Sequence, residues 1–176
     1  YAFNQHFRDL NIDVSPEMYA SFTGNSTKNV YQKLKEKFNI KPEIDELVNQ
    51  KRSIFNDAFD NKEDLFLLDG VLNLIQDLHK NNMQLVLASS SSKVTIDRIF
   101  RRFDLYQYFA HIVSGEDFPK SKPDPTIFIH AAKLSGTKPE NCIVIEDSTN
   151  GVKAAKLAGI YCIGYDSPNS KLQDYS

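Results

Sequence analysis

Three groups of polar residues follow short apolar segments of the sequence, either directly or a short loop later. They are the serine run Ser89–Ser92, Lys122 in a Lys-Pro-Asp-Pro sequence, and the neighbouring carboxylates Glu146 and Asp147. Hydroxyls and backbone amides at a helix start can hold a phosphate. A lysine ammonium neutralises phosphate charge, and adjacent carboxylates suit Mg²⁺. Together these residue types predict Mg²⁺-assisted phosphoryl transfer.

The second part of the chain predicts a sheet that brings these groups together. From about Leu67, short apolar segments alternate with amphipathic helices, which is typical of a parallel sheet with right-handed crossovers. Such sheets bind ligands at the carboxyl ends of their strands. The predicted buried strands are Gln84–Ala88, His111–Ser114, Cys142–Glu146 and Ile160–Gly164, and the predicted helices lie near Gly70–Lys80, Lys93–Phe103, Thr126–Ser135 and Asn150–Leu157.

Residues 1–62 predict helices only. Val30, Leu34 and Phe38 recur at helical spacing, and no strand pattern interrupts this region. Ser15-Pro16 predicts a helix start, with the serine as N-cap and the proline at the first helical position. By itself this region predicts a small helical bundle and no particular function.

The composition excludes several functional classes. The chain has 176 residues and a formal net charge of -2, so it lacks the basic surplus that nucleic-acid binding requires. No apolar segment is long enough to span a membrane, so we expect neither nucleic acid nor membrane as a partner. The two cysteines form no disulfide framework and no metal-binding spacing, which favours a cytoplasmic location.

Each polar group also has a purely structural explanation. The serine run can be a loop and a helix N-cap, Lys122 can be a solvated loop lysine, and Asp147 or Ser148 can cap the following helix. Their common placement after successive strands favours the functional interpretation.

Three segments resemble a known family. They are LVLASSSSK (85–93), KSKPDPTIF (120–128) and VIEDSTNGVKAAKLAGI (144–160). They are similar to the haloacid-dehalogenase-like phosphotransferases, in the subgroup of β-phosphoglucomutase and small sugar-phosphate phosphatases. The resemblance implies an α/β fold with a Rossmann-like parallel-sheet core and a four-helix-type cap. It assigns residues 1–66 to the cap and 67–176 to the core, and it is compatible with a monomer.

The same resemblance implies roles for the strand-end residues. The hydroxyl of Ser89 and the backbone amide of Ser90 are expected to bind the phosphoryl group, and Lys122 to bridge it to the nucleophile. Glu146 and Asp147 are expected to hold Mg²⁺ directly or through water.

On the cap, the resemblance implies a substrate-contacting loop and a cation. The loop is Gly24, Asn25, Ser26 and Thr27, and the cation is Lys51. The cap is expected to close over the substrate, excluding water and setting specificity. The mutase has an arginine where this chain has Thr27, so the bidentate phosphate clamp of the mutase is absent.

The expected nucleophile does not occur within the chain. The family uses an aspartate at the end of its first core strand and a second aspartate two residues later as general acid and base. None of Asp13, Asp45, Asp57 and Asp60 follows a candidate core strand. We therefore expect the first strand upstream of Tyr1, and a further strand and helix beyond Pro168.

These observations leave alternatives open. A Mg²⁺-dependent phosphatase acting on a small phosphorylated metabolite of the sugar-phosphate class is the leading hypothesis. A phosphosugar mutase, with Lys28 or Lys51 supplying the second cation, is the next. A catalytically inactive chain that binds phosphorylated ligands or proteins is the third. A receiver-type signalling domain fits less well, because its strand-end groups occur in a different order.

Overall fold

A computed structural model describes residues 1–168, 170 and 172–176. Its helices in that part of the chain are α1 (Ala2–Asp9), α2 (Pro16–Phe22), α3 (Thr27–Phe38), α4 (Ile44–Asn61), α5 (Val71–Lys80), α6 (Lys93–Arg102), α7 (Thr126–Ser135) and α8 (Thr149–Leu157). Its strands are β1 (Leu85–Ser89), β2 (Phe109–Ser114), β3 (Ile143–Glu146) and β4 (Tyr161–Gly164). This order confirms the prediction of helices first, followed by strands and helices in alternation.

Helices α1–α4, the cap helices, pack around one apolar cluster. Tyr31, Leu34 and Leu47 are completely buried in it, and α4 contacts both α1 and α3. The hydroxyl of Tyr31 lies 2.5 Å from Nδ1 of the buried His6, and burial raises the pKa of this tyrosine. The cap helices therefore have a hydrophobic core of their own. No helix in the described part of the chain is long and apolar enough to cross a membrane.

Serine side chains fix the starts of two cap helices. Ser15 accepts a hydrogen bond from the Met18 amide at 3.2 Å, which confirms the predicted N-cap of α2. Ser26 does the same for the Asn29 amide at the start of α3. The loop between these helices is therefore held from its far end.

Parallel strand pairs form the second part of the molecule. β1 pairs with β2, placing Ser89 beside Ser114, and β3 pairs with β4, placing Glu146 beside Gly164. Within the described residues the two pairs share no backbone hydrogen bonds and form two separate sheets. The predicted site residues Ser89, Ser90, Glu146 and Asp147 thus lie at the carboxyl ends of β1 and β3.

The two strand pairs differ in how they are covered. Helices α7 and α8 pack against one face of both pairs, where Val86 and Val144 contact the same apolar cluster. On the opposite face of β1 and β2, Leu87 and Phe109 pack against a second cluster that includes Ile96 of α6. The first pair is therefore covered on both faces.

The prediction of buried strands is wrong for one face of β3 and β4. Ile143 is 61% exposed, Ile145 53% and Ile163 45%. Their neighbours Val144 and Cys162 point the other way, into the cluster beneath α7 and α8. Side chains alternate between the faces of a strand, so one covering layer buries only every second residue.

Candidate active site

A cavity of about 790 Å³ lies between the cap helices and the carboxyl ends of β1 and β3. Its lining includes every predicted site residue except Ser26, which caps α3 instead. From the cap these residues are Gly24, Asn25, Thr27 and Lys51, and from the strand ends they are Ser89, Ser90, Lys122, Glu146 and Asp147. The fold thus brings together residues that are far apart in the sequence.

Lys122 is the buried cation of this cavity, with only 4% of its surface exposed. Its Nζ donates a hydrogen bond to the Ala88 carbonyl at 3.1 Å and forms an ion pair with Glu146 Oε1. The same nitrogen lies 4.5 Å from the centroid of the Phe128 ring. A lysine is rarely buried without a partner of opposite charge. The interpretation of Lys122 as a solvated loop lysine is therefore wrong.

Glu146 lies directly against the first turn of α8. Its Oε2 accepts a hydrogen bond from Ser148 Oγ at 3.1 Å, while Ser148 Oγ accepts one from the Gly151 amide at 3.0 Å. A Cβ atom on Gly151 would lie 2.1 Å from Glu146 Cδ, so a side chain at this position would displace the carboxylate. Ser148 is thus the N-cap of α8, as its structural explanation predicted, and also a partner of Glu146.

Asp147 is oriented by the chain that follows β4. Its Oδ2 accepts a hydrogen bond from Ser170 Oγ at 2.6 Å, and its backbone carbonyl accepts one from the Tyr175 hydroxyl at 3.3 Å. The two adjacent carboxylates therefore differ in their partners: Glu146 contacts a cation and a hydroxyl, whereas Asp147 accepts from a hydroxyl.

Members of the serine run have separate tasks. Ser92 is the N-cap of α6 and accepts a hydrogen bond from the Thr95 amide at 3.2 Å. Ser89 Oγ accepts one from the Ser91 amide at 3.1 Å. Ser90 Oγ donates to the carbonyl of Gly24 at 2.7 Å, which links the end of β1 to the cap. The structural interpretation of this run therefore holds for Ser92, whereas phosphate binding by Ser89 and Ser90 stays a prediction.

Lys51 is the cap cation of the cavity. Its Nζ lies 4.5 Å from the Phe3 ring centroid and 5.6 Å from that of Phe55. Burial, with a smaller contribution from the neighbouring charge of Arg52, lowers the pKa of Lys51 to about 8. Lys28 is exposed, does not line the cavity and lies 3.7 Å from an Asp45 carboxylate oxygen. The structure thus favours Lys51 over Lys28 as a second cation.

Comparison with known proteins identifies the family. Residues 1–165 match the family of the haloacid dehalogenase-like hydrolases. The chain belongs to this family. The expected fold class, a Rossmann-like parallel-sheet core with a helical cap, is thereby confirmed together with the observed elements.

Curated relatives of this haloacid dehalogenase-like chain include phosphatases and a mutase. It is 30% identical over 161 residues to β-phosphoglucomutase of Bacillus subtilis, covering 92% of the chain and 66% of that protein. It is 26% identical over 121 residues to phosphoglycolate phosphatase of Pseudomonas putida, covering 68% of the chain and 44% of that protein. The chain thus spans between 44% and 66% of the length of these two relatives.

Solved structures of the family share its fold. CbbY from Rhodobacter sphaeroides, in complex with xylulose-(1,5)bisphosphate, matches with a TM-score of 0.86 and 25% identity, covering 99% of this chain and 81% of that one. β-Phosphoglucomutase from Clostridium difficile matches with a TM-score of 0.83 and 25% identity, covering 96% and 77%. The predicted resemblance to the β-phosphoglucomutase subgroup is confirmed by these relatives.

The haloacid dehalogenase-like site offers a suitable but small set of metal ligands. Within the described residues, no group of three or more His, Cys, Asp or Glu side chains is placed to hold a metal ion. Glu146 and Asp147 supply two carboxylates at one strand end. Mg²⁺ is commonly held by one or two carboxylates, with waters and substrate phosphate oxygens completing the octahedron. The donor set therefore fits Mg²⁺.

Two residues that line or support this site were not predicted from the sequence. Phe3 lines the cavity and packs its ring on Lys51, whereas the sequence showed only a residue on the apolar face of a helix. Asn150 donates hydrogen bonds to the cap loop, whereas the sequence indicated only a position in the first turn of a helix. No local sequence pattern predicts the contacts of Phe3 or Asn150, because each contact joins two separate elements of the fold.

Proposed function

We propose that this protein is a Mg²⁺-dependent phosphatase that acts on a small phosphorylated metabolite of the sugar-phosphate class. The observation that supports this most directly is the position of Lys122. It is buried between the ends of β1 and β3, in ion contact with Glu146, at the same cavity as Ser89 and Ser90. Phosphoryl transfer needs such a cation, because negative charge spreads over the equatorial oxygens in the transition state.

The serine end of β1 is proposed to receive the phosphoryl group. The hydroxyl of Ser89 and the backbone amide of Ser90 donate to its oxygens, and Lys122 contributes positive charge from the other side. These groups are held in advance by β1 and by the Lys122 hydrogen bond to Ala88. Donors that are already oriented need no reorganisation as charge develops.

The nucleophile is proposed to be an aspartate on a strand that pairs between β1 and β3. In the described residues, β1 pairs only with β2 and β3 only with β4, so one edge of each remains open. Leu74, Leu87 and Ile145 line the cavity beside these edges and offer apolar contacts to such a strand. The carboxylate attacks phosphorus, the P–O bond to the substrate breaks, and the second aspartate expected two residues later protonates the departing alcohol oxygen. Water then cleaves the resulting aspartyl-phosphate, which releases inorganic phosphate and restores the carboxylate.

Glu146 and Asp147 are proposed to hold Mg²⁺, directly or through water. When bound, the ion supplies positive charge that neutralises the phosphate and orients it. Ser170 fixes the orientation of the Asp147 carboxylate, and Lys122 and Ser148 fix that of Glu146. We propose a cytoplasmic location, which the two free cysteine thiols support.

Phosphate release by the intact protein tests this proposal. We expect a panel of phosphosugars with Mg²⁺ to yield inorganic phosphate, and chelation of the metal to stop it. Lys122→Ala is expected to lower kcat roughly 100- to 1000-fold. Lys120→Ala is the matched control, because Lys120 is an exposed lysine of the same loop. Unchanged turnover in Lys122→Ala, or no release from any phosphosugar, contradicts the proposal.

A phosphosugar mutase is the second candidate, and the relatives support it. β-Phosphoglucomutase of Bacillus subtilis is among them, and Lys51 supplies a second cation at the cavity. Thr27 cannot make the bidentate clamp of an arginine, which favours the phosphatase. Product analysis separates the two. A mutase converts hexose 1-phosphate to hexose 6-phosphate and is stimulated by a bisphosphate, whereas a phosphatase releases phosphate.

A further inference from the structure

The loop between α2 and α3 is held onto the strand ends by two core side chains. Asn150 Nδ2 donates to the carbonyl of Thr23 at 2.7 Å and to that of Ser21 at 3.1 Å. Ser90 Oγ donates to the next carbonyl in the loop, that of Gly24, at 2.7 Å. We call these three hydrogen bonds the loop clasp.

Asn150 acts as a C-cap supplied from another part of the molecule. The last carbonyls of a helix lack partners within the helix, and α2 ends at Phe22. Ser21 also accepts a longer hydrogen bond of 3.4 Å from Asn25 Nδ2, so Asn150 is its closer donor. Opening of the cap would leave the Thr23 carbonyl without Asn150. The end of α2 therefore gains part of its stabilisation from contact between the cap and the core.

Gly24 permits the close approach that the loop clasp needs. Its φ is +85°, which favours glycine, and a Cβ there would lie 2.6 Å from Ser148 Oγ and 3.1 Å from Asn150 Cβ. Any side chain at this position must push the loop away from α8. The backbone of Gly24 thus rests directly on the turn that carries Glu146 and Asp147.

The loop clasp joins two surfaces that line the same cavity. Gly24 and Asn25 line it from the cap, and Ser90 and Ser148 line it from the strand ends. The hydroxyl of Ser90 donates its hydrogen bond to the loop, while its backbone amide is proposed to donate a hydrogen bond to the phosphoryl group. A shift of the loop therefore acts on the residue that receives the phosphate.

We propose that Asn150 is a positioning residue that, through the loop clasp, holds residues 23–25 closed over the phosphoryl-binding end of β1. Asn150 does not itself touch the reacting atoms. It sets the fraction of molecules in which the cap loop covers the site and water is excluded. The expected change in KM rests on the proposed function. The expected change in amide exchange of the loop does not.

Hydrogen exchange of the intact protein without substrate tests the structural consequence. We expect Asn150→Ala to speed amide exchange in residues 20–25 by about 5- to 30-fold, the factor that corresponds to a net loss of about 1–2 kcal/mol when two hydrogen bonds are removed. Exchange in α3 and α7 should stay unchanged, because a general loss of stability would raise exchange there as well. Asn141→Ala is the control, because Asn141 is an exposed asparagine elsewhere in the core domain. It should leave the exchange rates of residues 20–25 unchanged. Equal protection of residues 20–25 in Asn150→Ala and the parent protein overturns the proposal.

A second variant breaks the loop clasp from the cap side. Gly24→Ala should speed exchange in the same residues, because its methyl group meets Ser148. The double variant should be no more than twofold faster than the faster single variant, because both changes release one contact. If the two substitutions instead multiplied their effects on the exchange rate, Asn150 and Gly24 would not belong to one loop clasp.

Steady-state kinetics then distinguishes a positioning role of Asn150 from a general loss of folded protein. Asn150→Ala is expected to raise KM for the phosphorylated substrate about 5- to 30-fold with a smaller change in kcat, whereas a poorly folded fraction would lower kcat and leave KM unchanged. A changed exchange rate without any phosphatase or mutase activity would refute the proposed function and leave the loop clasp standing. Parent-like KM together with parent-like exchange would refute the loop clasp alone.

Discussion

The cap helices and the β3–β4 pair bury their apolar residues to very different extents. In the cap, Leu34 and Leu47 are completely buried by neighbours from α1–α4. In the strand pair, Ile143 and Ile145 are more than half exposed, because α7 and α8 cover only the other face. The cap helices thus bury their apolar residues against one another. Burial of the outer face of β3 and β4 requires a further layer.

Truncation inside the cap cluster should have the largest effect on stability. Leu34→Ala removes a completely buried side chain from a closed cluster, so we expect a loss of about 2–5 kcal/mol in the free energy of unfolding. Urea denaturation of the parent and variant measures it. Leu157→Ala is the control, because Leu157 is 67% exposed, and it should stay within about 0.5 kcal/mol. A cost below about 1 kcal/mol for Leu34→Ala would show that the cap cluster can collapse around the gap.

Overpacking beside Glu146 should have the next largest effect. The methyl group of Gly151→Ala would meet the Glu146 carboxyl group, so we expect about 1–3 kcal/mol of destabilisation. The carboxylate should also shift, which weakens binding of Mg²⁺ as measured by titration calorimetry. Gly136→Ala is the control for Mg²⁺ binding. Its φ of +67° makes alanine strained, so stability should fall, but nothing lies near its Cβ position and the affinity for Mg²⁺ should stay unchanged. Equal Mg²⁺ affinity in Gly151→Ala and the parent would contradict the position assigned to Glu146.

Titration of Lys51 should change substrate binding by a smaller amount. Burial lowers its pKa to about 8, so the cap loses this charge as the pH rises through 8. We expect kcat/KM for a phosphorylated substrate to fall above pH 8, with an apparent pKa near 8 for the free enzyme. Lys51→Met should abolish this limb of the pH profile, whereas Lys28→Met should retain it. A profile that keeps the limb in Lys51→Met would exclude Lys51 as its source.

The same shift makes a prediction for stability. In the unfolded chain Lys51 titrates at the ordinary lysine pKa of 10.5, so between pH 8 and 10.5 the unfolded chain binds more protons at this site than the folded chain. The contribution of Lys51 to the free energy of unfolding therefore rises with pH across this window. Urea denaturation at several pH values should show the rise in the parent and lose it in Lys51→Met. A slope that survives in Lys51→Met would assign it to other groups.

The smallest effect is expected on the open face of β3. Ile145→Ala in the chain of 176 residues should cost no more than about 0.5 kcal/mol, because Ile145 is already 53% exposed. In a form of the protein in which a further strand pairs between β1 and β3, the same substitution should cost about 2–5 kcal/mol. Urea denaturation of both forms compares these values. Equal, small costs would argue against a strand at that position.

Much of the fold was predictable from the sequence because its signals are local. Short apolar segments located the strands, helical spacing located the helices, and Ser15 indicated the start of α2. The serine run, Lys122 and the Glu146–Asp147 pair were predicted to share a sheet edge, and they line one cavity. The exposed face of β3 was not predictable, because an apolar residue has the same pattern whether or not a second layer covers it.

The sequence by itself determined the order of the elements, the strand ends where chemistry can occur and the family to which the chain belongs. Tertiary structure alone decided which of those residues meet. Lys122 and Glu146 are 24 positions apart, and Asn150 and Thr23 are 127 apart, yet each pair is in contact. Periodicity reports only which face of a helix or strand a residue occupies. The partner on that face is set by how whole elements pack, and no local spacing records it.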